Sequence, residues 1–151
     1  MFIKGYMRFT IPLQVKKLEP GNYHAFINIT VDNKPCRLLI DTGASKTVFD
    51  AEQILQFVDE QEFKKHPAKS VGLGAKAMDT HVVVIRQLLL GKLAKKKMEV
   101  AVLDLYHVNQ TYSALKLPKI HGVLGSDILH KYQAIIDYGK KQLVLQKKAK
   151  A

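Results

Sequence analysis

The sequence has little of the material on which several classes of protein depend. Its 151 residues include one cysteine, no tryptophan and five prolines. A single cysteine cannot form an intramolecular disulfide, and we expect Cys36 to be a small buried strand residue. No apolar run approaches the ~20 residues that span a bilayer. The N-terminus also lacks a continuous apolar region of the signal-peptide type, so we expect a cytoplasmic protein without a membrane partner.

Acidic residues are in short supply. Asp and Glu number 13 against 24 Lys and Arg, which gives a formal net charge of +11. The lysines are scattered along the chain, and the only arginines are Arg8, Arg37 and Arg86. Specific nucleic-acid recognition favours clustered arginine and a recognisable motif, and both are missing. We therefore interpret the charge as a solvated basic surface, with acidic partners and nonspecific nucleic-acid binding as alternatives.

The common patterns of metal and cofactor chemistry are also missing. The six histidines show no HxxxH or Cys/His spacing of the zinc-binding type. The glycines at Gly72 and Gly74 lack the Lys and Ser/Thr of a phosphate-binding loop. No GxSxG segment indicates a serine nucleophile. The sequence therefore predicts neither a metal ion nor a cofactor.

What the sequence does contain is a series of short strand patterns. Residues Tyr23–Val31 alternate in hydrophobicity, and a turn cluster then leads to a second strand over Cys36–Ile40, so the two predict a hairpin. Later strands are expected over Met78–Leu90, Met98–Leu105, Ala134–Tyr138 and Gln142–Leu145. The spacing predicts a mostly β fold in one domain, residues 1–151, with a core over about residues 20–147.

Two short helices are expected among these strands. Asp50 is placed to cap the first, which presents an apolar face at Ile54, Leu55, Phe57 and Val58. The second, near the C-terminus, is predicted to be capped by Ser126. Residues Tyr106–Lys119 are polar and are predicted to form an irregular insertion, and the tail from Lys147 is expected to fray.

One segment, LLIDTGAS, carries most of the chemical information. Asp41 follows three apolar strand residues, so the strand end can hold its carboxylate rigidly. Thr42 supplies a hydroxyl that can lock the following loop, and Gly43 permits a tight turn and close approach of another chain. Ala44 and Ser45 are small enough for a crowded symmetry axis. The pattern favours a catalytic carboxylate on a rigid loop.

This segment resembles the DTG motif of aspartic peptidases in the form found in retropepsins. The downstream GVLGSDIL, Gly122–Leu129, resembles the apolar-apolar-Gly stretch and short helix of that family. The glycine-rich Gly72–Gly74 falls where the family has its flap hairpin. The similarity covers about Tyr23–Leu145. It implies the acid protease fold, a retropepsin-like closed β-barrel.

The resemblance also implies a catalytic arrangement. Aspartic peptidases need two carboxylates, and this chain has one DTG, so a homodimer would pair Asp41 with its copy. Thr42, Gly43 and Ala44 would support the active-site loop. Gly72, Leu73, Gly74 and Ala75 would form a flap over an extended peptide or protein substrate. Family members with two lobes often carry Ser or Thr where Ala44 stands, so we expect a mildly acidic working range here.

Three other aspartates are weaker candidates for the second acid. Asp137, in AIIDYG, also precedes a glycine, but Tyr138 is bulky where the loop needs a small hydroxyl. Asp127 is expected to begin a helix, and Asp104 follows a strand without the turn. The alternative function is a catalytically silent retropepsin-like dimer that binds peptides or organises an assembly. The length of the Tyr106–Lys119 insertion keeps that alternative open, since it could alter the cleft.

Overall fold

The computed structural model describes residues 2–3, 5–66 and 80–149. These residues contain twelve strands and two α-helices. The strands are β1 (Phe2–Ile3), β2 (Tyr6–Pro12), β3 (Gln14–Glu19), β4 (Asn22–Val31), β5 (Lys34–Ile40), β6 (Val48–Asp50), β7 (Lys64–His66), β8 (Thr80–Leu90), β9 (Leu93–Leu103), β10 (Gly122–Leu124), β11 (Ile135–Asp137) and β12 (Gln142–Lys148); the helices are α1 (Tyr106–Ala114) and α2 (Ser126–Lys131). The prediction of a mostly β fold is confirmed.

Six of the strands close into a barrel. Their order is β4-β5-β10-β6-β9-β8, and the circle closes where Thr30 and Val31 of β4 pair with Leu89 and Leu88 of β8. Closure removes two sheet edges that would otherwise expose unpaired backbone groups. The hairpin of β4 and β5 forms as predicted, with Asp32 and Asn33 in the left-handed conformation that its tight turn requires.

A second sheet packs beside the barrel, in the order β1-β2-β12-β11. It joins chain segments from both ends of the sequence, because β12 pairs with β2 from Gln142↔Pro12 to Lys148↔Tyr6. The main apolar core includes Ile11 of β2, Leu143 and Leu145 of β12, and the interior side chains of the barrel. Lys147 and Lys148 are part of this ladder, so the prediction that the chain frays from Lys147 is wrong.

The helices differ from the predictions in the segment after the DTG loop, at the start of α2 and in the predicted insertion. The segment after the DTG loop forms 3-10 turns over Gln53–Gln56 and Glu60–Glu62 instead of a longer helix. Asp50, just before this segment, does accept hydrogen bonds from the amides of Glu52 and Gln53. Leu55, which was predicted to be part of an apolar face, is 46% exposed. Helix α2 is present, yet Ser126 is its first residue and caps nothing; Gly125 occupies the N-cap position.

The segment predicted as an irregular insertion contains helix α1. Two carboxylates hold its start, because Asp104 accepts from the amide of Tyr106 at 2.9 Å and Asp50 accepts from the amide of Leu105 at 2.8 Å. The buried Asn109 then exchanges two hydrogen bonds with the backbone of Ile120. Tertiary contacts supply the helix stability that the polar, aromatic and β-branched sequence lacks by itself.

Candidate active site

Asp41 lies directly after β5, at a place where the chain crosses over another strand. Strand β10 lies between β5 and β6, parallel to the first and antiparallel to the second. The loop of residues 41–47 must therefore span two strand spacings, about 10 Å, and pass over the end of β10. The amide of Asp41 donates to the carbonyl of Leu124 at 3.0 Å, which fixes the start of the loop to β10.

Two glycines make the crossing possible. A Cβ at Gly125 would lie 2.6 Å from the backbone C and O of Lys46 and 2.8 Å from the carbonyl oxygen of Ala44. A Cβ at Gly122 would overlap the carbonyl oxygen of Val48. No side chain fits either place, because the obstructing atoms are backbone. The glycines of GVLGSDIL are thus explained by close backbone packing, of Gly125 against the DTG loop and of Gly122 against β6.

A hydrogen-bond network fixes the far end of the same loop to α2. Asp127 Oδ1 accepts from the amide of Thr47 at 2.9 Å and from its hydroxyl at 2.7 Å. The Thr47 hydroxyl oxygen in turn accepts from the amide of Gly125 at 3.0 Å, and the amide of Ser126 donates to the carbonyl of Ala44 at 2.7 Å. Thr47 is buried, so these bonds are shielded from water.

Sequence reasoning missed this role of Thr47 and Asp127. Asp127 does lie in the first turn of α2, as predicted, and it also accepts from the amide of Ile128 at 2.9 Å. Its main contacts, however, are with a loop 80 residues earlier in the chain. The available signal was the presence of an acid beside the second glycine motif and a threonine six residues after Asp41.

The carboxylate of Asp41 is exposed on the chain. Its Oδ1 accepts a hydrogen bond from the amide of Gly43 at 2.9 Å, and its carbonyl accepts from the amide of Ala44 at 3.2 Å. The arrangement holds Asp41 at the surface with a defined orientation.

The three residues predicted to support the DTG loop, Thr42, Gly43 and Ala44, have different surroundings in the structure. Gly43 does not adopt the left-handed conformation, and a Cβ there would make only an ordinary 3.4 Å contact with Asp41 Oδ1. Thr42 is exposed, and its hydroxyl bonds to no other described residue. Within one chain, therefore, nothing in the described part requires this Thr or this Gly. Ala44 is half-buried against a second apolar cluster.

The flap prediction cannot be placed in the same way. Gly72, Leu73, Gly74 and Ala75 lie outside the described residues. The strands on either side of that segment, β7 and β8, pair antiparallel and bring His66 opposite Thr80.

The other aspartates have structural partners. Asp137 Oδ1 accepts from the amide of Lys140 at 2.8 Å in the turn between β11 and β12. Asp104 begins α1 and Asp127 holds the Asp41 loop. No hydrogen bond joins Asp41 to another carboxyl group of the described residues. Each of these three carboxylates thus accepts hydrogen bonds from groups other than Asp41.

A second apolar cluster lies against the same side of the barrel as the Asp41 loop. Its buried members are Phe26, Val48, Tyr112, Ile120 and Val123. Helix α1 contributes Tyr112, whose hydroxyl lies 2.7 Å from His24 Nδ1. Burial raises the pKa of Tyr112 to about 12, with Arg37 lowering it and the negative charge of Asp41 raising it. Tyr112 therefore stays neutral at physiological pH.

Arg37 is a buried cation in this cluster. Its guanidinium carbon lies 4.1 Å from the centroid of the Phe26 ring, and Nη1 donates to Gln14 Oε1 at 2.6 Å. Nε and Nη2 have no hydrogen-bond partner among the described residues. Burial lowers the pKa of Arg37, although a guanidinium remains charged. The cation–π contact compensates part of the cost of burying this charge.

His121 connects this region to the strand that carries Asp41. Its Nδ1 accepts from the amide of Arg37 at 2.9 Å, which requires that nitrogen to be unprotonated. The proton of the neutral ring then lies on Nε2, 3.3 Å from Gln56 Oε1. Burial lowers the pKa of His121, in agreement with a neutral ring.

Other candidate chemistry finds little support in the part of the chain that the structure covers. Cys36 is buried as predicted, and burial raises the pKa of its thiol far above the ordinary value, so it is not a nucleophile. Over residues 2–3, 5–66 and 80–149, no group of three or more His, Cys, Asp or Glu side chains is arranged to hold a metal ion. No helix in those ranges has the length and apolarity needed to cross a membrane.

Comparison with known families gives one match that covers most of the chain. A family model described as aspartyl protease matches residues 27–128, which include Asp41, Gly125 and Asp127. No curated protein sequence matches the chain.

Solved structures share the fold at low sequence identity. A retropepsin-like aspartic protease from Rickettsia conorii superposes with a TM-score of 0.59 at 19% identity, over 93% of this chain and 91% of that one. The retroviral protease-like domain of Ddi1 from Leishmania major gives a TM-score of 0.53 at 13% identity, over 80% of this chain and 86% of that one. The barrel with its crossing loop is therefore similar to retropepsin-like folds.

Proposed function

Because the chain belongs to the aspartyl protease family and is an aspartic peptidase of retropepsin-like fold, we propose that two copies hydrolyse peptide bonds with a dyad made of Asp41 from each. In such a dyad the two carboxylates lie close together and share one proton, since two adjacent like charges cannot both be ionised. The unprotonated carboxylate accepts a proton from water, which attacks the amide carbonyl. The protonated one donates its proton to the carbonyl oxygen.

The observation that carries this proposal is the state of Asp41 in a single chain. Its carboxylate is exposed on a loop fixed at both ends, and the rival acids have other partners. A rigid, outward-facing half-site suits completion by a second copy. The exposed Thr42 would then bond to its partner loop, which gives its hydroxyl a role that it lacks within one chain. An extended substrate would pair its backbone with the walls of the cleft.

Replacement of Asp41 by Asn provides the first test. The purified chain would be incubated with a diverse peptide library between about pH 3 and about pH 8, with Asp137→Asn as the matched control. Cleavage by the parent and by Asp137→Asn, with loss of at least ~100-fold for Asp41→Asn, supports the proposal. Absence of cleavage by the parent over the whole range favours the silent peptide-binding dimer.

Mixed dimers test whether the site is shared. Parent chains would be allowed to exchange subunits with an equal amount of Asp41→Asn chains, and cleavage would be measured per parent subunit. A shared dyad predicts a fall to about one half, because half of the parent subunits then face an Asn. An unchanged rate per parent subunit would mean that each chain contains a complete site. Native mass spectrometry of the mixture verifies that exchange occurred.

A further inference from the structure

The fold gathers lysines that are scattered along the sequence. Two grooves are lined by successive residues of the first half of β9. One groove contains Lys95, Lys96, Lys97 and Lys131, and the other contains Lys92, Lys147 and Lys148. The end of α2 is joined to β12 by the amide of Gln146, which donates to the carbonyl of Tyr132 at 2.7 Å. We call these seven lysines the basic face.

Two of the ammonium groups lie over the same aromatic ring. Lys95 Nζ is 5.9 Å and Lys131 Nζ is 5.6 Å from the centroid of the Tyr132 ring. The contact between the two ammonium groups lowers the pKa of Lys131, and their repulsion adds to the effect. Cation–π attraction holds both side chains near the surface of α2 despite that repulsion. An anion between them would relieve it.

The backbone of β9 also favours exposure of neighbouring lysines. Lys97 has φ of 53°, the left-handed conformation that non-glycine residues seldom adopt. Lys96 and Lys97 are consequently both exposed, where a regular strand would turn one of them inward. The strain is tolerated at a place where it adds a positive charge to the surface.

Negative charge on the basic face is sparse. The first groove contains Glu99 and Asp127, and Asp127 is already bonded to Thr47. The second contains no acid, and its floor is apolar, with the half-buried Met7 and Phe9. Lysine rims around an apolar floor complement a partner with carboxylates and occasional apolar side chains.

We propose that the basic face binds an acidic polypeptide segment and thereby holds acidic protein substrates for cleavage. The lining favours a polypeptide over a nucleic acid for two reasons. None of the lining residues is an arginine, the residue that best matches phosphate groups. Tyr132 is buried under its lysines, so its ring face is not free to stack on a base.

Binding can be measured without catalysis. The probe is a fluorescein-labelled peptide of about a dozen residues, mostly Glu with two Leu, titrated with the full Asp41→Asn chain at low and physiological salt. In that background, Lys95→Glu with Lys131→Glu is compared with Lys92→Glu with Lys148→Glu. The matched control is Lys140→Glu with Lys141→Glu, which changes the same charge at the opposite end of β12, about 20 Å away. Thermal unfolding verifies that each variant folds.

We expect each pair on the basic face to weaken peptide binding about tenfold or more and the control pair less than about threefold, with all affinities falling as salt rises. Equal losses in all three double variants would mean that only total charge matters, and would overturn the proposal. So would tighter binding of a DNA or RNA oligonucleotide of equal charge than of the peptide, or no measurable peptide binding.

The role in holding substrates rests on the proposed function, and a second measurement separates the two. A cleavable peptide would carry either an acidic extension or the same extension with Gln for Glu. The parent should cleave the acidic form faster through a lower KM, and the Lys95→Glu/Lys131→Glu pair should remove that preference at unchanged kcat. Equal cleavage of both forms by the parent overturns the substrate role. If no peptide is cleaved, the proposed function fails while the binding result still stands.

Discussion

The Asp41 loop and the basic face differ in how firmly the fold holds their side chains. The loop of residues 41–47 is fixed by backbone bonds to β10 and α2, by hydrogen bonds from the buried Thr47 to Asp127, and by close packing against Gly125, where no side chain fits. The basic face consists of mostly exposed lysines on strand ends and a helix end. Its side chains are long and mostly exposed, and few of them have contacts that fix the charged end.

The difference follows from the physics of the two tasks. A reacting carboxylate must be placed to within a fraction of an ångström, because a small displacement costs orders of magnitude in rate. Long-range attraction between opposite charges tolerates displacements of several ångström. We therefore expect single substitutions to have large effects in the loop and small effects on the basic face.

Gly125→Ala should give the largest effect. The new Cβ would meet the backbone of Lys46 at 2.6 Å, and we expect a loss of about 2–3 kcal/mol in the free energy of unfolding. Displacement of the Asp41 loop should also reduce kcat/KM about a hundredfold. Denaturant unfolding and peptide cleavage measure the two quantities.

Gly139→Ala is its matched control. A Cβ there would make only an ordinary contact of 3.4 Å with Asp137 Oδ1, so stability should change by less than about 0.5 kcal/mol. Equal losses of stability in the two variants would show that the close packing of Gly125 against the loop is not the cause of the effect.

Removal of the Asp127 carboxylate should come next. Asp127→Ala leaves the amide and hydroxyl of the buried Thr47 without an acceptor, and should lower the free energy of unfolding by about 2 kcal/mol and kcat about tenfold. Asp127→Asn retains an oxygen at the same place and should lose less than half as much. If the two variants behaved alike, the oxygen would not be what holds the loop.

Ala44→Ser adds a hydroxyl to the loop without disturbing its fold. If that hydroxyl donates to the neighbouring carboxylate, it favours the charged form and lowers the pKa of the dyad. The acidic limb of the pH–rate profile should then move down by about half to one pH unit, while stability changes by less than about 0.5 kcal/mol. An unchanged limb would contradict the idea that the alanine sets a mildly acidic working range.

The smallest effect is expected for one lysine of the basic face. Lys96→Gln should change stability by less than about 0.5 kcal/mol and affinity for the acidic peptide by less than about threefold, since one exposed charge pair contributes little. Fluorescence anisotropy and thermal unfolding provide the measurements. A tenfold loss from this single change would indicate a specific partner for Lys96 and remove the contrast with the Asp41 loop.

Sequence reasoning succeeded where local signals and tertiary structure agree. The alternation of β4, its turn and β5 led correctly to a hairpin that ends at Asp41. It failed for α1, because Tyr106–Ala114 has no strong helix pattern and depends on Asp50, Asp104 and Ile120 for its ends. It failed also at Ser126, because the N-cap position lies under the crossing loop, where only Gly125 fits.

The sequence by itself determined the class of chemistry, because its two motifs are local patterns. One is an acid after an apolar strand, followed by Thr and Gly; the other is the second glycine motif. Only the tertiary structure decided which distant groups hold that acid in place. Thr47 and Asp127 are 80 residues apart, and neither has a local signal for the other. The same is true of the basic face, because strand pairing and the docking of α2 bring together lysines that are far apart along the chain.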